Sequence, residues 1–92
     1  MGEKKRFDNV WEALEDDPIR MENLKLRSAL MIKIGEKIKA QKLTQKECAK
    51  RLHITQPRVS ALLQGRIDAF RLDSLVDMAH RLGLQVSIKI AA

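Results

Sequence analysis

The sequence predicts an all-α protein of five helices, followed by one short β-strand. Apolar residues recur at helical spacing over most of the chain, and Asp, Thr and Pro stand where helices would begin. The last residues instead alternate between polar and apolar types. A length of 92 residues suits one small domain. We divide it into an N-terminal extension (1–17), a helical domain (18–84) and a C-terminal strand (85–92).

A short acidic helix is predicted within the N-terminal extension. The segment VWEALED follows Asp8 and Asn9, either of which can cap it. Val10, Trp11 and Leu14 would form its apolar side. Two roles remain open for this helix: packing its tryptophan on the rest of the protein, or docking on a partner.

A long second helix is predicted from Pro18 to about Gln41, with Asp17 as its N-cap. Its buried stripe should lie where apolar residues repeat every four positions. The residues of this stripe are Leu26, Leu30, Ile34 and Ile38, with Met31 beside them.

The stretch 44–64 reads as two short helices joined by a tight bend. Thr44 and Glu47 have the spacing of a capping box. Thr55 can cap the second helix, and Pro57 stands in its first turn, where a missing amide costs little. Helices this short must pack on each other and on the rest of the core. Their expected buried residues are Cys48, Ala49, Leu52, Val59, Leu62 and Leu63.

The last helix is predicted in the segment SLVDMAHRLG. Gly65 can end the preceding helix in a left-handed conformation, and Phe70 and Leu72 should fill the core. Asp73 or its neighbour would start the last helix, and Gly83 would close it. The stripe on this helix comprises Leu75, Val76, Ala79 and Leu82.

Residues 85–90 alternate with period two and are rich in β-branched side chains, which predicts a strand. An unpaired strand edge is a liability, so a partner is expected. The partner could be the same strand of a second copy, a strand of another protein or an extended N-terminus; the alternative is a frayed tail. We favour the second copy, since antiparallel self-pairing is self-complementary. The dimerisation residues would be Val86, Ile88 and Ile90.

The charge is unevenly distributed along the chain, which carries +6 in total. Residues 1–24 contain four basic and seven acidic side chains, whereas residues 25–92 contain fourteen basic and five acidic ones. A basic body suits a phosphate backbone. Two Phe, one Trp and no Tyr argue against the base-stacking surfaces of single-strand or RNA binders.

Little in the sequence indicates catalysis or metal binding. Cys48 and His53 are five positions apart, which is off the helical spacing that brings ligands together, and His80 looks like an ordinary surface residue. There is no Gly-rich phosphate loop and no nucleophile elbow. We therefore expect no enzyme, cofactor, metal or small-molecule ligand. Without a signal sequence or a long apolar run, a cytoplasmic protein with no membrane contact is expected.

The stretch 44–64 resembles the helix-turn-helix of the phage-repressor (Xre/Cro) family, and a weaker resemblance extends over residues 24–83. The position that this family usually fills with Gly is His53 here. The resemblance implies a repressor-like DNA-binding domain whose second motif helix enters the major groove. The matching positions are Gln45, Ala49, Ile54, Thr55, Gln56, Val59 and Leu62.

The outward residues of the second motif helix suit base edges. Glutamine can bond adenine, arginine can bond guanine, and alanine or proline can contact a thymine methyl group. The expected base contacts are Gln56, Pro57, Arg58, Ser60, Ala61 and Gln64. For Arg58 a phosphate contact remains the alternative. By resemblance, and from their position beside the motif, the expected phosphate contacts are Gln45, Lys46, Lys42 and Arg66.

These expectations point to a homodimeric, sequence-specific regulator that binds double-stranded DNA, most simply a repressor. The short domain with added terminal elements is also similar to HigA-type antitoxins, which implies autorepression and a RelE-like toxin as a protein partner. The alternative is a protein-interaction module that keeps the helix-turn-helix as a scaffold and does not bind DNA.

Overall fold

A computed structural model describes residues 17–92. All regular secondary structure in this part of the chain is helical. The all-α class is therefore confirmed for the described residues, in which four α-helices and one 3-10 helix occur. The acidic helix predicted at residues 10–16 lies outside them. The elements are α1 (Pro18–Ala40), α2 (Gln45–Leu52), α3 (Gln56–Leu63), the 3-10 helix (Ile67–Ala69) and α4 (Leu72–Arg81).

Helix α1 begins and ends as its sequence predicts. The Asp17 carboxylate accepts a hydrogen bond from the backbone N–H of Arg20 at 3.2 Å, and Pro18 occupies the first turn. At the other end, Gln41 is the C-cap, and its side-chain Nε2 donates to the Leu82 carbonyl at 3.1 Å. This bond ties the end of α1 to the end of α4.

The core lies where α1 packs on α4 and where α2 packs on α3. Phe70, between the 3-10 helix and α4, is the largest of its fully buried side chains. Burying thirteen apolar side chains in one cluster provides the main favourable term of folding. The buried residues are Met31, Ile34, Ile38, Cys48, Ala49, Leu52, Val59, Leu62, Phe70, Leu75, Met78, Ala79 and Leu82.

The predicted stripe of α1 is wrong at one end. Leu26 remains 55% exposed, whereas Ile34 and Ile38 are buried and Leu30 is half-buried. An α-helix advances about 100° per residue, so a four-residue repeat drifts about 40° at each step. Over the three steps from Ile38 to Leu26 the drift reaches about 120°, which carries Leu26 away from the core.

The buried sides of α3 and α4 also differ in part from expectation. Leu63, expected to be buried, is 43% exposed at the carboxyl end of α3. On α4, Val76 is only half-buried, while Met78 is buried although the pattern did not single it out. Met78 lies three residues after Leu75 and four before Leu82, and these spacings place all three on one face.

The C-terminal strand predicted at residues 85–92 is not seen in the single chain, where these described residues form no strand. A strand exists through ladder hydrogen bonds to a neighbour, and residues 17–92 of one chain offer no second strand. Val86 packs against the core, whereas Ile88 and Ile90 are 83% and 90% exposed.

None of the helices within residues 17–92 is both long enough and apolar enough to cross a membrane.

Candidate nucleic-acid interface

Helix α2 begins with a complete capping box. The Thr44 hydroxyl accepts from the Glu47 N–H at 3.1 Å, and a Glu47 carboxylate oxygen accepts from the Thr44 N–H at 2.9 Å. The pKa of the Glu47 carboxyl is lowered from its ordinary value, first by the hydrogen bond from the Thr44 backbone N–H and then by hydrogen bonding with the Thr44 side chain. The amino end of α2 is therefore fixed in position relative to the turn that precedes it.

The bend between α2 and α3 passes through a left-handed residue. His53 has φ 59° and ψ 42°, and the N–H groups of His53 and Ile54 both bond to the Ala49 carbonyl. The turn thus has the backbone conformation expected at the position where the Xre/Cro pattern usually has Gly. Histidine takes it at a cost in strain that glycine would avoid.

Helix α3 is capped at its start and closed at its end. The Thr55 hydroxyl accepts from the Arg58 N–H at 3.4 Å, and Pro57 stands in the first turn. Gly65 has φ 75°, and the N–H of Arg66 bonds to the Ala61 carbonyl at 3.1 Å. Because Val59 and Leu62 are buried, the opposite side of α3 faces outward.

The predicted base contacts occupy that outward side to different degrees. Gln56, Pro57 and Gln64 are exposed, while Ser60 and Ala61 are half-buried. The Gln64 Nε2 donates to the Ser60 hydroxyl at 3.2 Å, one turn away on the same side of the helix. Ala61 also packs against the core, so its methyl group is available only in part.

Arg58 is exposed as well, but it lies at the flank of α3. It precedes the buried Leu62 by four positions, so the two share a side of the helix. Its guanidinium carbon lies 4.4 Å from the centre of the Phe70 ring. Sequence reasoning missed this contact, since a stack between residues twelve positions apart leaves no periodic signal.

The predicted phosphate contacts are all exposed, and they fall at two places. Lys42, Gln45 and Lys46 lie at the amino end of α2 or just before it, and Lys42 has a positive φ of 55°. Arg66 directly follows Gly65 at the end of α3. Cations and amides at the start of one motif helix and after the other are thus free to contact an anionic strand.

The residues considered for catalysis or metal binding do not come together. Cys48 is fully buried in the core, and this burial raises the pKa of its thiol. His53 is exposed, and its Nε2 lies 3.4 Å from Nη1 of Arg81. Among residues 17–92 no three His, Cys, Asp or Glu side chains are grouped so that they could hold a metal ion.

A family model described as "Helix-turn-helix domain" matches residues 13–91. The chain belongs to this helix-turn-helix family. Its match covers every helix of the structure. A solved structure named "Putative XRE Family Transcriptional Regulator" is similar to this helix-turn-helix protein, with a TM-score of 0.73 and 29% identity over 78% of this chain and 81% of that one. The Xre-type resemblance of the motif is thereby confirmed. No curated protein matches the chain.

Proposed function

We propose that this Xre-type helix-turn-helix protein is a transcriptional regulator that binds specific sequences in double-stranded DNA, acts as a homodimer and represses. The observation that carries the proposal is the α2–α3 pair, in which two capped helices leave the outer side of α3 exposed. The side chains on that outer side are donors, acceptors and small apolar groups rather than a solvating mixture of Lys and Glu.

The outer side of α3 has the chemistry needed to read base edges. The Gln56 amide can bond adenine with one donor and one acceptor, and Pro57 and the partly exposed Ala61 can contact a thymine methyl group. Ser60 and Gln64 lie toward the other end of the helix, where their mutual bond orients the amide. A helix with its amino-terminal residues in the major groove is the usual docking of this motif.

Backbone contacts would fix the register of α3 on the duplex. Lys42, Gln45 and Lys46 lie at the amino end of α2, where the helix dipole also favours an anion. Arg66 would hold the strand beyond the other end of α3. The excess of basic residues over residues 25–92 supports the same role.

The homodimer would form through the C-terminal tail. An apolar groove runs between α1, α4 and the tail, and the exposed side chains of Leu26 and Ile88 line it. A second copy whose tail pairs antiparallel would satisfy the ladder bonds of residues 85–90 and cover Ile88 and Ile90. Two such copies would present their α3 helices to half-sites about 34–36 Å apart.

A narrower proposal is an antitoxin of the HigA type that represses its own operon and binds a RelE-like toxin. The acidic balance of residues 1–24 supports it, since a basic nuclease would suit an acidic contact. Co-expression with the product of the adjacent gene, followed by purification on a tag on one partner, tests it. Co-elution at equal stoichiometry is expected, and separation of the two proteins would leave a plain repressor.

The DNA-binding proposal is tested by fluorescence anisotropy on duplex DNA from upstream of the gene, at several salt concentrations. Lys46→Ala should weaken binding and lower the salt dependence, since it removes a phosphate contact. Lys50→Ala is the matched control, because Lys50 is an exposed lysine one turn further from the amino end of the same helix. Binding that does not weaken with salt, or no binding, would favour the protein-interaction module instead.

A further inference from the structure

We propose that Arg58 binds a DNA phosphate beside the loop after α3, and that Phe70 is the residue that positions it. The proposal rests on the proposed function and adds that different residues of α3 contact the bases and the DNA backbone. Gln56, Pro57 and their outward neighbours read base edges, whereas Arg58 clamps the backbone.

The direction of Arg58 separates it from the residues that read bases. Pro57, Ala61 and Gln64 follow one another at spacings of four and three, which places them on one side of α3. Arg58 lies about 40° around the helix from Leu62, which is only 3% exposed, and about 100–120° from Pro57 and Gln64. Arg58 therefore extends along the rim between α3 and the segment that contains Phe70, and not straight outward into a groove.

The platform beneath Arg58 is rigid. Phe70 is 1% exposed, so its ring is held by the core on all sides except the one that the guanidinium covers. The Phe70 carbonyl accepts from Nη1 of Arg27 at 3.3 Å. Arg27 is fixed in turn, because its Nε donates to Oδ1 of Asn23 at 2.6 Å. The backbone of Phe70, which supports the ring beneath Arg58, is thus hydrogen-bonded to the long helix α1.

The contact with the ring is made above its centre, at 4.4 Å from the guanidinium carbon. A guanidinium held over an aromatic ring in this way can still offer N–H donors to the two oxygens of a phosphate. Within residues 17–92 the ion pairs involve other side chains, at Lys25, Lys33 and Arg71. A cation with an ordered position and an available donor edge is prepared for an anion that arrives from outside.

The loop after α3 makes the backbone the expected anion. Arg66 is exposed in this loop and is itself a proposed phosphate contact, and the chain reaches Phe70 four residues later. Arg58 and Arg66 would thus hold the same stretch of strand from the helix and from the loop. Preorganisation by Phe70 spares the cost of immobilising a long side chain on binding.

The test is a double-mutant cycle on duplex binding by the full chain, with Arg58→Ala, Phe70→Leu and the two combined. Each protein is first shown to be folded by thermal unfolding, and its affinity is measured from about 50 to about 200 mM salt. Arg58→Ala should lower the slope of log K against log salt by about 0.9, so its affinity falls about three- to fourfold less over that range. Its preference among base pairs should stay the same.

Phe70→Leu should weaken binding about two- to tenfold when Arg58 is present, and should have no further effect in the Arg58→Ala background. Arg27→Met, which keeps the ring but removes the hydrogen bond to the Phe70 carbonyl, should show the same dependence on Arg58 in a weaker form and serves if Phe70→Leu does not fold. Arg66→Ala is the control: its effect should be equal with and without the Phe70 ring.

Two results would overturn the proposal while leaving the proposed function intact. One is an unchanged salt slope in Arg58→Ala together with relaxed preference at one base pair, which would make Arg58 a base contact. The other is an effect of Phe70→Leu that is equal in both backgrounds, which would make Phe70 a core residue only. A wild-type protein that binds no duplex would instead overturn the proposed function, and this inference with it.

Discussion

Thr44 and Glu47 hydrogen-bond each other reciprocally at the start of α2, at 2.9 and 3.1 Å. These two hydrogen bonds satisfy the backbone N–H groups of Thr44 and Glu47, which have no carbonyl partner within the helix. It also sets where α2 begins, and Gln45 and Lys46 are the first two residues of that helix.

Removing this box should destabilise the protein and change how its stability depends on pH. Thr44→Ala should lower the free energy of unfolding by about 1 kcal/mol at neutral pH. The Glu47 pKa is lowered in the folded state, so its contribution is present above the ordinary value near 4.5 and is lost as the pH falls through the lower folded value. Urea unfolding from pH 7 to pH 3 measures both effects.

Glu47→Gln is the control for the box, because glutamine keeps an acceptor but does not titrate. The part of the acid-induced loss that belongs to Glu47 should be missing in this variant and reduced only in part in Thr44→Ala, because the alanine variant keeps the backbone N–H that is the larger cause of the lowered pKa. Identical pH profiles for all three proteins would contradict the assignment of the lowered pKa to this pair.

Replacing His53, the left-handed turn residue, with glycine should stabilise the protein. Glycine adopts a φ of 59° without strain, so His53→Gly should relieve about 1 kcal/mol, of which about half is returned by the freer unfolded chain. His53→Val should lose about 1–2 kcal/mol, because a β-branched side chain resists this region most. Both variants lose the contact with Arg81, so their difference in thermal stability does not come from that contact. Equal stabilities would contradict the left-handed turn.

Gln56 is expected to contribute to specificity more than to general affinity. If its amide bonds adenine with two hydrogen bonds, Gln56→Ala should cost about 1–3 kcal/mol on the best site and relax the preference at one base pair. The salt slope should not change, since no phosphate contact is removed. Competition binding with singly substituted duplexes gives both quantities. A loss of affinity that is equal on all duplexes would instead indicate that Gln56 contacts the DNA backbone.

The dimer prediction is tested on the two most exposed apolar residues of the tail. Ile88→Asp and Ile90→Asp together should leave the fold unchanged, because these side chains are 83% and 90% exposed in one chain. They should convert a dimer to a monomer in analytical ultracentrifugation. Lys89→Asp, in the same segment, is the control for added negative charge. A dimer that survives both isoleucine changes would place the interface elsewhere.

Local signals predicted the framework of the interface well, since caps and turns act over three or four residues. The capping box at Thr44, the left-handed turn at His53 and the end of α3 at Gly65 all appear in the structure. Helix positions near the end of a stripe were less predictable. Leu26 and Leu63 fit the apolar pattern, but they lie beyond the reach of the elements that would bury them.

Features set by tertiary or intermolecular contacts could not be obtained from local patterns. The stack of Arg58 on Phe70 depends on how the loop after α3 returns to the core. The alternation at residues 85–90 is present in the sequence, but whether it becomes a strand depends on a partner, and the described residues of one chain supply none. The alternation of residues 85–90 does not produce a strand in the single chain, but it is the basis of the proposed dimer.

The most direct test of sequence-specific DNA binding is selection from a library of random duplexes with the full-length protein at physiological salt. The account predicts enrichment of an inverted repeat whose half-sites are about 34–36 Å apart, with one conserved base pair that becomes degenerate when selection is repeated with Gln56→Ala. If selected duplexes remain as random as the input library, the account is contradicted and α3 does not read DNA.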